Sequence, residues 1–285
     1  MRILIIIPIY NEEKHLKKCL ESLVNQNNKP DKLVLVNDGS NDKSEKIIKE
    51  YSMKFSWIDS FKMKSESKPK AGRKIIKAFN LGKEKTIFNY DLIGKFDGDI
   101  VLPKNYFKKM KEHFEKNKNL GICSGILYVE KNNQWTYEDL HDKNHIRGAL
   151  KLYSKKCFKD IGGLKETLGW DTVDELLAKY HRYQTYVDDK LIVKHLRPTS
   201  KRYEKNNIYN QGKLMYRLRY GIIISLIASL KLSWKKRKIK FLLHCILGYL
   251  KASKKKNDFL ISKKQGLFIR NYRLKNIVKK IFLLS

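Results

Sequence analysis

Acidic residues are scarce in this chain of 285: 29 Asp and Glu stand against 62 Lys and Arg, a formal net charge of +33. That imbalance directs attention to anionic partners, whether a nucleotide, an acidic lipid surface or nucleic acid. Cysteine is scarce too. Cys19, Cys123, Cys157 and Cys245 lie far apart with no C-x-x-C spacing, which argues against a structural zinc site and a disulfide framework and fits a reducing cytosol. Long apolar runs are missing as well. None of Ile222 to Leu230, Phe241 to Leu250 and Ile277 to Leu284 reaches the roughly 20 residues that a bilayer span needs. The N-terminal run behind Arg2 stops at Pro8 and the polar Asn11-Glu12-Glu13 without a small-residue cleavage pattern. It reads as a buried strand and not as a signal peptide, and a cytoplasmic protein is expected.

What the chain does have is alternation. Arg2 to Ile9, Lys32 to Val36 and Asp91 to Phe96 are short apolar runs that read as strands. Between them lie helical patterns: Leu16, Leu20, Leu23 and Val24 fall on one face behind a capping Asn11, Ile47 and Ile48 belong to a second helix, and Lys70 to Lys85 forms a third. This β-α-β order implies a mainly parallel sheet with helices on both faces. From about Gly121 to Arg197 the pattern turns mixed. Strands are expected around Ile122 to Val129, Gly148 to Tyr153 and Leu191 to His195, and helices over Lys155 to Ile161 and Val173 to Tyr183.

In open α/β sheets, ligands gather at the carboxyl ends of the strands. Here those ends carry Pro8-Ile9-Tyr10-Asn11-Glu12, Asn37-Asp38-Gly39-Ser40 and Asp97-Gly98-Asp99, three polar motifs brought to one rim. Residues i and i+2 of an extended segment point the same way, so Asp97 and Asp99 can address one hard divalent cation, Mg2+ or Mn2+, that also takes substrate phosphates. Read alone, D-G-D is an ordinary turn.

The succession PIYNEEKHLKKCLESLVNQ, LVLVNDGSNDKS, AFNLG and FDGDI resembles the family 2 glycosyltransferases, nucleotide-sugar-dependent inverting enzymes of the GT-A fold, over roughly residues 2 to 200. The resemblance implies a Rossmann-like α/β fold with a mixed, mainly parallel sheet. It also implies a catalytic domain over 1–200, with a nucleotide-sugar half at 1–100 and an acceptor half at 101–200. A basic helical extension over 201–285 would follow. By the same resemblance Pro8, Tyr10, Glu12 and Asp38 hold the nucleotide base and ribose. Lys70-Ala71-Gly72-Arg73 lies where the family makes diphosphate or base contacts, with Arg73 a bidentate donor to phosphate. Asp99 becomes the metal ligand, and Asp97 contacts ribose or metal. His195, in VKHLRPT, completes the metal site or meets the diphosphate, and the nearby Arg197 could contact phosphate.

Transfer also needs a base for the acceptor hydroxyl. The family places it in an acidic motif after Gly-Gly, commonly E-D-x-D-L. This chain departs from that pattern with Trp170-Asp171-Thr172-Val173-Asp174-Glu175-Leu176. Either Asp171 or Asp174 can be the base; Asp171 is favoured because it follows the loop directly, with Asp174 capping or orienting the helix and Glu175 solvated. Trp170 is expected to offer an acceptor-sugar platform, or else to be a core aromatic. His141, His145 and His181 show no metal-site spacing.

Residues 231–285 hold 17 Lys and Arg against Asp258 alone, a local charge of 17 − 1 = +16. Basic amphipathic helices on an anionic membrane surface are expected there, which places the protein peripherally on the inner face of the cell membrane. With no Q-x-x-R-W motif, a non-processive enzyme follows, moving a sugar from a donor such as a UDP-sugar to a glycan or lipid-linked glycan. Transfer to a polyprenyl phosphate is the alternative. A nucleic-acid-binding protein is the reading from another class; it is disfavoured because no recognised module accompanies the charge.

Overall fold

The computed structural model describes residues 1–63, 72–139, 143–198, 208–237 and 239–282. The chain separates into two compact units, 1–166 with 170–199, and 167–169 with 200–285.

Among the described residues the first unit is built on nine strands. These are β1 (Ile3–Ile9), β2 (Lys32–Asn37), β3 (Ile58–Lys62), β4 (Leu92–Phe96), β5 (Ile100–Val101), β6 (Leu120–Lys131), β7 (Gln134–Tyr137), β8 (Leu150–Ser154) and β9 (Gln184–His195). They run in the order β3-β2-β1-β4-β8-β6-β9-β5, with β7 paired to β6. The half formed by β3, β2, β1 and β4 is parallel throughout. Beyond β4 the sheet turns mixed: β8 is antiparallel to both β4 and β6, whereas β6 and β9 are parallel. The strand β1 is covered on both faces, so it reads as an unbroken apolar run.

The helices described in this unit are α1 (Leu16–Val24), α2 (Ser44–Lys54), α3 (Arg73–Lys85), α4 (Tyr106–Lys116), α5 (Lys155–Asp160) and α6 (Trp170–Tyr180). The first expectation to fail is the cap of α1. Asn11 has φ 53°, a left-handed turn residue, and the helix begins at Leu16. The polar loop therefore continues past Glu12 before the helix starts. The third helix begins at Arg73; Lys70 and Ala71 of the basic segment lie outside the described residues, as does His141.

The second unit contains α7 (Ile208–Arg217), α8 (Gly221–Lys236), α9 (Ile239–Lys254) and α10 (Lys263–Phe282). The helices α7 and α9 touch backbone to backbone. A Cβ on Gly212 would fall 1.8 Å from the Cys245 carbonyl oxygen, and one on Gly248 would fall 2.2 Å from that of Tyr209. Among the described residues no helix is long and apolar enough to cross a membrane.

Candidate active site

Two polar loops are clasped together at the carboxyl ends of β1 and β2. The Asn11 amide donates to Ser40 Oγ at 3.1 Å, and the Asn41 amide returns a bond to Asn11 Oδ1 at 2.9 Å. The Glu12 amide donates to the buried Ser44 Oγ at 2.8 Å, and that of Glu13 to Asp42 Oδ2 at 3.0 Å. The Asp38 amide donates to the Ile9 carbonyl at 2.8 Å. The Asn and Ser residues of the two motifs thus hold the loops in fixed register. They leave Tyr10 exposed beside them, with the Lys74 ammonium 5.9 Å from its ring centre, and Glu12 and Asp38 buried.

Asp99 sits in this rim after a turn at Gly98, 3 % exposed. Arg197 reaches it from just beyond β9: Nε donates to Asp99 Oδ2 at 3.1 Å, and the same guanidinium pairs closely with Glu12 Oε1. His195, the last residue of β9, places Nε2 3.5 Å from Asp99 Oδ1, while its Nδ1 stands 3.3 Å from Glu138 Oε2. Glu138 in turn takes Arg147 Nη2 at 3.1 Å. The pairing of β5 with β9, which sets Ile100 opposite His195, explains how residues a hundred positions apart meet.

The charges shift one another. Burial raises the Asp99 carboxyl, but His195 and Arg197 outweigh it and hold the pKa below the ordinary value. Burial and the Asp99 charge push Glu12 up to about 7 despite Arg197. Burial lowers His195, and Asp99 with Glu138 overcomes it to hold the imidazole at about 9. Two carboxylate oxygens, Glu12 Oε2 and Asp99 Oδ1, are buried with no hydrogen bond. Buried lone pairs left without a donor are costly, and next to an imidazole nitrogen they suit a hard divalent ion whose remaining ligands come from elsewhere. Among the described residues no three His, Cys, Asp or Glu side chains converge on one metal position.

The Asp97 carboxylate is held by the Lys95 ammonium, and β4 ends at Phe96, so the two aspartates stand on a turn and not on the extended strand that the alternation assumed. Lys95, 1 % exposed, also donates to the Gly148 carbonyl at 2.9 Å. Gly148 lies against the next acidic residue: a Cβ there would stand 3.4 Å from Asp171 Oδ2 and 2.9 Å from the Trp170 ring. Asp97, Lys95, Gly148 and Asp171 are therefore consecutive contacts, so the first residue of α6 but one is carried to the rim where β4 ends.

The acidic cluster of α6 divides sharply. Asp171 is partly exposed, with Oδ2 3.7 Å from His145 Nε2. Asp174 is buried, takes Lys151 Nζ at 2.8 Å and accepts a close hydrogen bond from Tyr153. Burial, together with Glu175, raises its pKa to about 6 against the pull of Lys151. So enclosed, Asp174 has no open side for an acceptor hydroxyl, which corrects its candidacy as base. Glu175 is not solvated either. It is buried and accepts from the Ile146 amide at 2.9 Å, while His145 Nδ1 stands 3.0 Å and Lys151 Nζ 3.3 Å away. Trp170 is 6 % exposed, with the Lys95 and Lys151 ammonium groups 5.2 and 5.7 Å from its ring centre. A ring enclosed in this way offers no face to a sugar, so the platform expectation gives way to a packing role. Arg73 is paired at 3.4 Å with Glu166.

Sequence reasoning missed His145, Glu138, Arg147, Lys95 and Lys151. The two lysines are cross-strand partners in the β4–β8 register, and lysine in a strand ordinarily signals a solvent face. Only the carboxylates they meet after folding make their burial possible.

A sheet whose parallel half ends in a clasped loop pair, with a buried aspartate after β4, defines an α/β protein with a polar rim at its strand ends. The glycosyl transferase family 2 model matches residues 4–164, and the chain belongs to that family. It is 31 % identical over 194 residues to the glycosyltransferase GlyA of Streptococcus pneumoniae, a match spanning 58 % of this chain and 27 % of that protein. The chain spans from about a tenth to just over half the length of the curated relatives it matches. Among solved structures it resembles Staphylococcus aureus TarS 1–349 in complex with UDP-GlcNAc, with TM-score 0.58 and 16 % identity over 79 % of this chain and 66 % of that one. It also resembles the mannosyltransferase PcManGT of Pyrobaculum calidifontis in complex with GDP-Man and Mn2+, with TM-score 0.59 and 12 % identity over 97 % and 80 %. At these identities the structural likeness shows the GT-A fold alone.

Proposed function

We propose that the chain transfers a glycosyl group, with inversion and one sugar at a time, from a nucleoside diphosphate sugar to a hydroxyl of a glycan or lipid-linked glycan in cell-surface synthesis. A uridine donor is favoured. TarS, of the same fold, holds UDP-GlcNAc. The observation that carries the reading is the convergence of Glu12, Asp99, His195 and Arg197 on one rim with two carboxylate oxygens left unbonded.

Tyr10, exposed, serves as a stacking surface for the base, with Pro8 two residues before it in β1 and Asp38 accepting from the base or ribose. Asp97, fixed by Lys95, accepts from ribose hydroxyls. A divalent ion, Mg2+ or Mn2+, would be held by Asp99 and by His195 once Nε2 gives up the proton it shares with Asp99, with Glu138 still accepting from Nδ1. When bound with the donor phosphates, such an ion neutralises charge on the departing diphosphate. Arg197, partly exposed, can turn its outward N–H groups to a phosphate oxygen, and Arg73 lies further along the surface as a second cation. On the acceptor side, Asp171 takes the hydroxyl proton as that oxygen attacks the anomeric carbon. The basic C-terminal unit holds the protein at an anionic inner membrane face, near lipid-linked acceptors.

A thermal-shift series of nucleotide sugars with and without Mn2+, repeated on Asp99→Ala, tests the reading. A metal-dependent rise in melting temperature that the variant loses is expected. An equal shift in both proteins would remove Asp99 from the donor site.

A further inference from the structure

The helix α8 is built inside out. Among its described side chains, Ser225, Ser229 and Ser233, spaced one helical turn apart, are the buried ones along with Ile224. Ile222, Ile223, Leu226, Ile227, Leu230 and Trp234 are exposed, Trp234 by 88 %. A helix serving an aqueous core turns its apolar stripe inward and its hydroxyls outward. Here the order is reversed.

Its neighbour α9 extends the same surface. Ile239, 79 % exposed, begins a line that continues through Leu243, Leu247 and Leu250. The two lines meet: Ile222 and Leu226 share a groove with Leu250, and Leu230 and Trp234 share another with Ile239. Contiguous exposed apolar surface of this extent marks a place of contact.

Charge identifies the partner. Six of the ten residues 231–240 are Lys or Arg, centred on the α8–α9 turn, and no Asp or Glu occurs between Glu204 and Asp258. Lys231, Arg237 and Lys240 are exposed around Trp234. An aromatic ring flanked by cations at the end of an apolar face is the arrangement that enters the headgroup boundary of an anionic bilayer, the ring below the phosphates and the ammonium groups upon them. At 16 residues each, α8 and α9 lie along such a surface and do not cross it.

We propose that the outward face of the α8–α9 pair is a docking surface for an anionic phospholipid bilayer. Trp234 and Ile239 insert beside the turn, and Lys231, Arg237 and Lys240 bind lipid phosphates. This deepens the membrane part of the proposed function and is independent of sugar transfer.

Flotation of the full chain with phosphatidylcholine vesicles, with and without one-third phosphatidylglycerol, tests it. The chain floats with the anionic vesicles, and brominated lipid quenches its fluorescence. Trp234→Phe keeps flotation and loses most of that quenching. Trp234→Ser with Ile239→Ser weakens binding at least about tenfold. Changing Lys231, Arg237 and Lys240 to Gln weakens it roughly fivefold per charge. Circular dichroism and the thermal melt of each variant confirm that it is folded. Flotation of the native chain that neither set of substitutions weakens would overturn this face while leaving membrane attachment in place. Absence of flotation, or a dimer in sedimentation that Trp234→Ser dissolves, would overturn the bilayer as its occupant.

Discussion

In the α/β unit Lys95, Lys151, Asp99 and Asp174 are buried among covered isoleucines and leucines, whereas in the helical unit isoleucines, leucines and a tryptophan face outward and three serines face in. Buried charge is tolerated in the first because each group meets an opposite charge or a hydrogen bond, and only selected oxygens are left without one. Exposed apolar surface in the second unit is accompanied by uncompensated cations. Each unit departs from the ordinary soluble pattern in its own direction, and each departure lies where a binding surface is proposed.

The comparison breaks first, if it breaks, at α6. Asp171→Asn is expected to lower transfer about 10²- to 10⁴-fold with donor affinity unchanged. Asp174→Ala should instead destabilise the fold by about 3–5 kcal/mol, because it leaves the Lys151 charge buried without its nearest carboxylate. Urea denaturation and single-turnover kinetics separate the two outcomes. An Asp174→Asn protein of native stability that has lost transfer would exchange their roles.

A smaller effect sharpens the other side. Gly248→Ala forces a methyl group onto the Tyr209 carbonyl and should cost about 1–3 kcal/mol. The loss should fall on the helical unit's transition alone, followed by far-UV circular dichroism, while Mn2+-dependent nucleotide binding persists at temperatures where that unit has melted. Simultaneous loss would show that the two units unfold as one.

The smallest effect concerns His145. Burial lowers its pKa, but Asp171 and Glu175 overcome that and hold it at about 9, above the 6.5 of an unperturbed imidazole. A raised pKa in the folded state gives stability that is complete below about pH 6.5 and is lost as pH rises through about 9. His145→Gln should remove about 1–2 kcal/mol of that pH-dependent stability. Denaturation midpoints at pH 6 and pH 9.5 should differ less in the variant than in the native chain. An unchanged difference would release His145 from the pair.

Much of the rim was legible because motif and strand end coincide. PIYNEE, VNDGS and FDGDI each follow an apolar run, and a parallel sheet must gather them. The end of β9 at His195 was legible in the same way. The start of α1 was not, since Asn11 reads as a cap in sequence and becomes a left-handed turn only once Ser40 and Asn41 engage it. Nor were His145, Glu138 and Glu175, whose burial depends on partners brought by other segments of the chain. The acidic motif after Gly-Gly showed which stretch to inspect, but burial alone separated Asp171 from Asp174.

The clasp between the Asn11 loop and the Ser40–Ser44 loop has a consequence for anyone who would re-engineer the donor preference. Because each loop supplies acceptors for the other's backbone amides, neither can be transplanted by itself from a relative without orphaning donors in the loop that stays. The smallest exchangeable cassette at this rim is the pair.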